Sequence, residues 1–308
     1  MHIASYYSNS DIRVEERPTP QVGPGESLVR IHASGICGSD LMEWYRRDKV
    51  PLVLGHEIAG EIAAVGSGVN NIQVGDRVVA SHHVPCLECR YCRLGHETVC
   101  QTLHTTTFDP GGFSQYVRLP QINTRLGVFP IPENMTYEEA SFAEPLACVL
   151  RGQNRANVGA GDTVAVIGSG ISGILHIALA RARGAECIVA ADINEARLPW
   201  AEKFGADIVT EDSFSIPGLL LDKIGRKADI VILTTGHPKA VQAGFEAADE
   251  GATILLFAPS DPGTTIQVNI TDLFFKHDRT ITTTYANSPD DLQQALVLIS
   301  EKKVAVKE

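Results

Sequence analysis

The stretch from Thr163 to Asp192 limits the possible folds most severely. Thr163–Ile167 is a β-branched, apolar run that leads straight into Gly168-Ser169-Gly170-Ile171-Ser172-Gly173. A helix-length stretch follows to Arg183, and a second apolar run, Cys187–Ala191, ends on Asp192. Continuous apolar strands separated by amphipathic helices predict a parallel sheet covered on both faces. The alternation continues through a helix-length stretch at Glu195–Phe204 and strands at Asp229–Leu233 and Ala252–Phe257. Each glycine of the turn has its own task. The first makes a tight turn, the second lets the backbone approach a pyrophosphate, and the third admits close helix packing. The helix that begins beside Ile171 then presents free N–H groups and a positive dipole end to phosphates. Asp192 stands 19 residues beyond Gly173, where a carboxylate accepts both ribose hydroxyls of NAD and repels a 2′-phosphate. No arginine follows it directly; Arg197 is the nearest. NAD is therefore expected over NADP, on Gly168, Gly170, Ile171, Gly173, Asp192 and Arg197.

Upstream the texture differs. Residues 1 to about 145 carry short strand-like runs such as Ser27–His32 and Asp76–Ala80, punctuated by turns at Gly23–Gly25 and Gly66–Gly68. They read as a mostly β domain. The tail from Tyr285 holds one helical stretch, Asp290–Lys302. A chain of 308 residues, 44% hydrophobic and 20% charged, suits two folded domains with sizeable cores. Its net charge of −11 argues against a nucleic-acid or anionic-membrane surface, which needs a basic face. No apolar run is long enough to span a bilayer, and the polar start shows no secretion signal.

Four of the seven cysteines, Cys86, Cys89, Cys92 and Cys100, fall within fifteen residues. Clustered thiols in a large chain without a signal read as metal ligands in a reducing, cytoplasmic compartment rather than as a disulfide framework. The Cys-x2-Cys-x2-Cys-x7-Cys spacing lets four thiolates close the tetrahedral shell of a structural Zn²⁺. An iron–sulfur cluster also takes four thiolates, although no redox-partner motif accompanies them. A second set is dispersed: Cys37 with Ser39 and Asp40, His56 with Glu57, and Glu144 before Pro145. A thiolate, an imidazole and carboxylates can hold Zn²⁺ and leave a position for a substrate oxygen.

Several pieces occur in one order: Gly35–Asp40, Gly55–Glu61, Val74–Val78, the cysteine lobe, Gly111–Tyr116, Glu144–Leu146 and the glycine turn. Together they resemble the zinc-dependent alcohol dehydrogenase class of the medium-chain dehydrogenase/reductase superfamily, and most of all its polyol dehydrogenase branch (sorbitol or iditol dehydrogenase-like). The resemblance implies an α/β protein. A GroES-like β-rich catalytic domain over 1–146, completed by 285–308, would accompany a doubly wound Rossmann NAD-binding domain over 147–284. It also implies two zinc ions per subunit. Cys37 and His56 would bind the catalytic ion, with Glu57 and Glu144 completing the shell directly or through water. In the classical branch a cysteine is the third ligand, and a carboxylate takes that place in the polyol-like branch. Ser39 matches the hydroxyl that accepts the substrate proton. The substrate would be a secondary alcohol, a polyol or cyclitol by the carboxylate ligation. An amino-alcohol dehydrogenase acting on threonine and a non-catalytic relative are the alternatives. Strand Thr253–Phe257 would be the edge through which a homodimer or homotetramer forms.

Two departures stand out. Met42 occupies the position where the family often carries a proton-relaying histidine, which leaves water or Glu43 for that step. Relatives usually continue for a few tens of residues beyond the point matching Glu308, so either that tail is missing here or this protein is built differently. His82, His83 and His104 flank the lobe, where they could shape a polar pocket or serve structure alone.

Overall fold

The computed structural model describes residues 1–307. Met1–Ala147 with Ala286–Lys302 form one compact unit, and Cys148–Tyr285 with Lys303–Ala305 form another.

The first unit holds two antiparallel sheets. Strands β1 (His2–Ser8), β2 (Asp11–Glu16), β3 (Ser27–Gly35) and β4 (Leu52–Val53) are followed by β5 (Glu57–Val65), β6 (Arg77–Ala80), β7 (Tyr116–Leu119) and β8 (Val128–Pro130). The small sheet runs β2-β1-β4, and the larger one β7-β3-β5-β6-β8. Val29, Ile58, Ile62, Val78, Val117 and Leu119 fill the interior of the larger sheet. Its register decides which strand ends meet. Gly35 pairs with Glu57, and Ile58 pairs with Ala80. The end of β3, the start of β5 and the end of β6 therefore lie side by side at one end of the sheet.

The second unit carries β9 (Thr163–Ile167), β10 (Cys187–Ala191), β11 (Ile208–Thr210), β12 (Ala228–Leu233), β13 (Ala248–Leu256) and β14 (Thr280–Thr283). They form one parallel sheet in the order β11-β10-β9-β12-β13-β14. This is the doubly wound arrangement whose strand order reverses between β9 and β12, and ligands bind outside the carboxyl ends at such a switch point. All five residues of β9 are buried. Ala165 and Ile167 pack into the core on one face of the sheet, Val164 and Val166 into the core on the other. Two-sided burial explains the continuous apolar runs.

The structure corrects three expectations. Residues 195–204 form a 3₁₀ turn, Glu195–Arg197, followed by a separate helix, Leu198–Lys203. The proline at position 199 has no N–H to donate and so favours a fresh helix start. The strand near Thr253 is not an edge: β14 pairs with it in parallel, from Thr253↔Thr280 to Leu256↔Thr283. β14 is all β-branched (Thr280-Ile281-Thr282-Thr283), which suits a strand, but it lacks the unbroken apolar run that marks its neighbours. The tail helix is Pro289–Ser300, one residue earlier at its start and two shorter at its end than the sequence suggests. Among the described residues, no helix is long and apolar enough to cross a membrane.

Gly60 sits at a close approach of β3 and β5. A Cβ there would lie 2.2 Å from the Arg30 carbonyl oxygen and 2.7 Å from Val29 Cγ1. Backbone cannot yield as a flexible side chain does, so Gly60→Ala is expected to destabilise the first unit by ~1–3 kcal/mol. Thermal unfolding would register it as a lowered Tm, and an unchanged Tm would show that the strands can separate at little cost.

Candidate metal centre and dinucleotide cradle

The strand register brings the dispersed metal-ligating residues together. Cys37 lies two residues past β3, His56 immediately before β5, and Glu57 begins that strand. One ligand atom from each of Cys37, His56 and Glu57 falls within 4.8 Å of the others. Gly35 makes room: a Cβ there would stand 2.0 Å from Glu57 Oε2. Cys37 caps the 3₁₀ turn Gly38–Leu41, its thiol accepting from Ser39 N at 3.5 Å while Asp40 Oδ2 accepts from Cys37 N at 3.0 Å. The other oxygen of Asp40 is buried without a hydrogen-bond partner, 3.7 Å from His56 Nδ1 and 3.8 Å from Arg46 Nη2. A carboxylate facing one imidazole nitrogen fixes ring orientation and leaves the other nitrogen for a metal.

Glu144 stands in the first turn of the helix Ala143–Ala156 and is buried. Asn287 Nδ2 donates to its Oε1 at 2.9 Å. Burial, with Glu144 and Glu57 nearby, pushes the Cys37 thiol up to about 12. Burial also raises Glu57 to about 8, helped by Glu144 and Asp40. These acidic groups oppose one another's ionisation in the protein alone, and a cation among them removes the conflict. The donor set of sulfur, nitrogen and carboxylate oxygen fits Zn²⁺ with a position left open.

Cys86, Cys89, Cys92 and Cys100 form a second group. Their sulfurs stand 3.5 Å (Cys89–Cys92), 3.6 Å (Cys86–Cys100) and 4.0 Å (Cys86–Cys92) apart. Thiolates on one tetrahedral Zn²⁺, each about 2.3 Å from the ion, stand about 3.8 Å from one another. The residues fit a closed zinc site, and none of them is in a disulfide. The lobe is tied back toward the first site. Thr106 Oγ1 accepts from Val84 N at 2.9 Å, and its carbonyl oxygen lies 2.7 Å from His83 Nδ1. The His82 ring lies 3.9 Å from that of His83 and 4.6 Å from that of His56. Burial, with those imidazoles nearby, pushes the His82 pKa down, so its ring stays neutral.

In the second unit the three glycines differ as their tasks require. Gly168 has φ +102°, and a Cβ there would meet Thr234 Oγ1 at 2.4 Å. A Cβ on Gly170 would find only Arg197 Nη1, at 4.0 Å, so this face is open. A Cβ on Gly173 would strike the Gly168 carbonyl oxygen at 1.9 Å. Ile171 opens the helix Ile171–Ala182. Asp192 accepts from Ser169 N at 2.7 Å and from Asn194 N at 2.9 Å, and Arg197 Nη1 lies 3.2 Å from its Oδ2. Thr234, at the carboxyl end of β12, donates to the Gly168 carbonyl at 2.8 Å across the switch point.

Comparison with known proteins agrees with both halves. Residues 23–133 match the alcohol dehydrogenase GroES-like domain family, and residues 172–301 the zinc-binding dehydrogenase family. Sheep (Ovis aries) sorbitol dehydrogenase is 34% identical over 257 residues, covering 80% of this chain and 72% of the relative. The chain belongs to the zinc-dependent alcohol dehydrogenases. Within that family of the medium-chain dehydrogenase/reductase superfamily it falls on the polyol dehydrogenase-like branch. An L-threonine 3-dehydrogenase of Symbiobacterium thermophilum is 35% identical over 259 residues, covering 81% of this chain and 72% of the relative. The crystal structure of a zinc-binding dehydrogenase from Sinorhizobium meliloti, bound to NADP, superposes with a TM-score of 0.87. It is 26% identical and covers 99% of this chain and 90% of its own.

Three residues of this dehydrogenase's sites carry little sequence signal. Asn287 reaches Glu144 from 143 positions away, Thr234 gains meaning only once the strands pair, and Asp40, named with Cys37 in the sequence, shows its place beside His56 only in the fold. Glu43 lies in the direction of Asn9, whose N–H stands 3.4 Å from its Oε1.

The raised Glu57 gives a signed expectation for the metal-free protein. Between the ordinary carboxylate range and about 8 the folded state holds a proton that the unfolded state has released. Stability then falls as pH rises through that window. Between about pH 5 and about pH 8, Tm of the metal-free dehydrogenase should drop more steeply than that of metal-free Glu57→Gln. Equal slopes would contradict this placement of Glu57.

Proposed function

We propose that this dehydrogenase oxidises a secondary alcohol of a polyol or cyclitol and passes the hydride to NAD. The observation that carries the reading is the donor set of the first unit: one thiolate and one imidazole completed by carboxylates, where the classical branch has a second thiolate. Cys37 and His56 would hold zinc, with Glu57 and Glu144 completing its surroundings. Zinc, when bound, supplies a Lewis acid that lowers the pKa of an alcohol, and the nicotinamide accepts the hydride. Ser39 would accept the hydroxyl proton from the substrate; it lies beside the thiol, its backbone N–H donating to the Cys37 sulfur. Met42 offers no acceptor and Glu43 is directed toward Asn9, which favours release of that proton to solvent. Cys86, Cys89, Cys92 and Cys100 would hold the structural ion.

Dinucleotide reduction against polyols, cyclitols, simple alcohols and threonine, followed by absorbance, tests this reading. Turnover on a polyol or cyclitol, lost in Cys37→Ser while the four-cysteine zinc remains, is the expected result. Turnover on threonine alone would favour the amino-alcohol reading, which the Symbiobacterium relative supports. NAD bound without turnover on any alcohol would instead indicate a non-catalytic relative.

Asp192 governs the choice of dinucleotide. Its carboxylate is held by two backbone N–H groups at the end of β10, where it would meet the ribose hydroxyls and repel a 2′-phosphate. Arg197 beside it softens that repulsion, and a solved relative binds NADP. Asp192→Ser should move the NAD-to-NADP ratio of kcat/KM toward NADP by about tenfold or more, equivalent to ~1.4 kcal/mol. A wild-type preference for NADP, or an unmoved ratio, would refute this assignment.

A further inference from the structure

Glu144 is met by a residue of the tail segment. Asn287 Nδ2 donates to Glu144 Oε1 at 2.9 Å, with only 3% of Asn287 and 6% of Glu144 exposed. The backbone on both sides of Asn287 is pinned. Ala286 holds φ +50°, a left-handed conformation that costs energy for a residue with a Cβ. Ser288 caps the helix Pro289–Ser300 in a reciprocal box with Asp291: Ser288 N and Oγ each donate to Asp291 Oδ2 at 2.8 Å, and Asp291 N donates back to Oγ at 3.2 Å. Leu292, Ala295, Leu296 and Ile299 bury that helix. Asn134 ties its other end, donating to the Ser300 carbonyl at 3.0 Å and accepting from Ser300 Oγ at 3.1 Å. Strained backbone persists only where its surroundings hold it in place, and it concentrates at functional sites.

An amide suits this position chemically. It donates to a buried carboxylate, as such a group requires, without adding a charge. A lysine or arginine in its place would neutralise Glu144 and compete with a metal ion for it. We propose that Asn287 is a positioning residue of the metal centre, whose amide holds the Glu144 carboxylate in one rotamer so that the ion at Cys37 and His56 is retained. The inference rests on the metal reading of those residues and assigns the tail segment its part in it.

The test is metal release from the zinc-loaded protein to a chelating indicator, with the cobalt(II) absorption spectrum of the substituted protein as a second readout. Cys37→Ser identifies which equivalent belongs to this centre. Asn287→Ala should release that equivalent about 10–100-fold faster than wild type, the range expected when a partner of a ligating group is lost. Asn287→Asp keeps the shape but removes the donor, and should do the same. The cobalt bands should shift in both variants, while the four-cysteine equivalent keeps its wild-type rate and reports that the fold survives. Asn134→Ala, which loosens the other end of the same helix, should leave release unchanged. Wild-type release rates and cobalt spectra in both Asn287 variants would overturn the inference. So would equal acceleration by Asn134→Ala, because packing of the tail helix would then be responsible. A wild-type chain that holds the same metal content as Cys37→Ser would overturn the metal reading, and this inference with it.

Discussion

Like-charged groups buried together at one end of a β-sheet are the constraint on which the catalytic unit depends. Glu144 and Glu57 disfavour ionisation of the Cys37 thiol, and Glu144 and Asp40 disfavour that of Glu57. Arg46 stands beside Asp40, its Nη2 3.8 Å from Oδ1 and donating to the Ser39 carbonyl oxygen at 3.3 Å. Nothing in the hydrophobic effect favours such a cluster, because charged groups leave water only at considerable cost. Its presence makes sense for a centre that completes itself with a divalent cation. The surroundings answer that demand. Gly35 vacates the space for Glu57, Asp40 faces one nitrogen of His56, and an uncharged amide meets Glu144.

Strand register converts a scattered motif into a site. The Gly35↔Glu57 and Ile58↔Ala80 pairings bring three chain segments to one end of the sheet. A slip of one residue would turn every side chain of β5 to its opposite face. The close approach at Gly60 belongs to the same pairing, since it lies opposite Ile31 on β3 and Val78 on β6. The four clustered cysteines come from a short local loop, so their sulfurs can gather without long-range strand order. Thr106 and the histidines just past β6 then connect the lobe's loop to the surroundings of His56.

Local chemistry makes much of this legible in the amino acids alone. The two-sided burial of β9 and β10 produces unbroken apolar runs, and a turn with three distinct glycine tasks can hardly be written another way. The four cysteines announce themselves by spacing. Where less is legible, the cause lies in long-range pairing. Thr280–Thr283 is β-branched throughout but largely polar, because a short edge strand needs little apolar surface, so its pairing with β13 is not written in an apolar run. The break after Arg197 hides within a pattern that is helical on both sides of it. Asn287 resembles any loop asparagine until the fold sets it against Glu144.

The catalytic unit is discontinuous, since Ala286–Lys302 rejoins Met1–Ala147 after an intervening stretch of well over a hundred residues. A ribosome delivers the candidate ligands Cys37, His56 and Glu57 early and the amide for Glu144 much later. The parallel sheet of Cys148–Tyr285 has all its strands before that amide emerges, so it can fold as a unit first. The first unit gains Asn287, the amide partner of Glu144, only after the strands of that sheet have been synthesised. On the nascent chain, the hydrogen bond from Asn287 to Glu144 is therefore made only after every strand of the inserted domain has emerged.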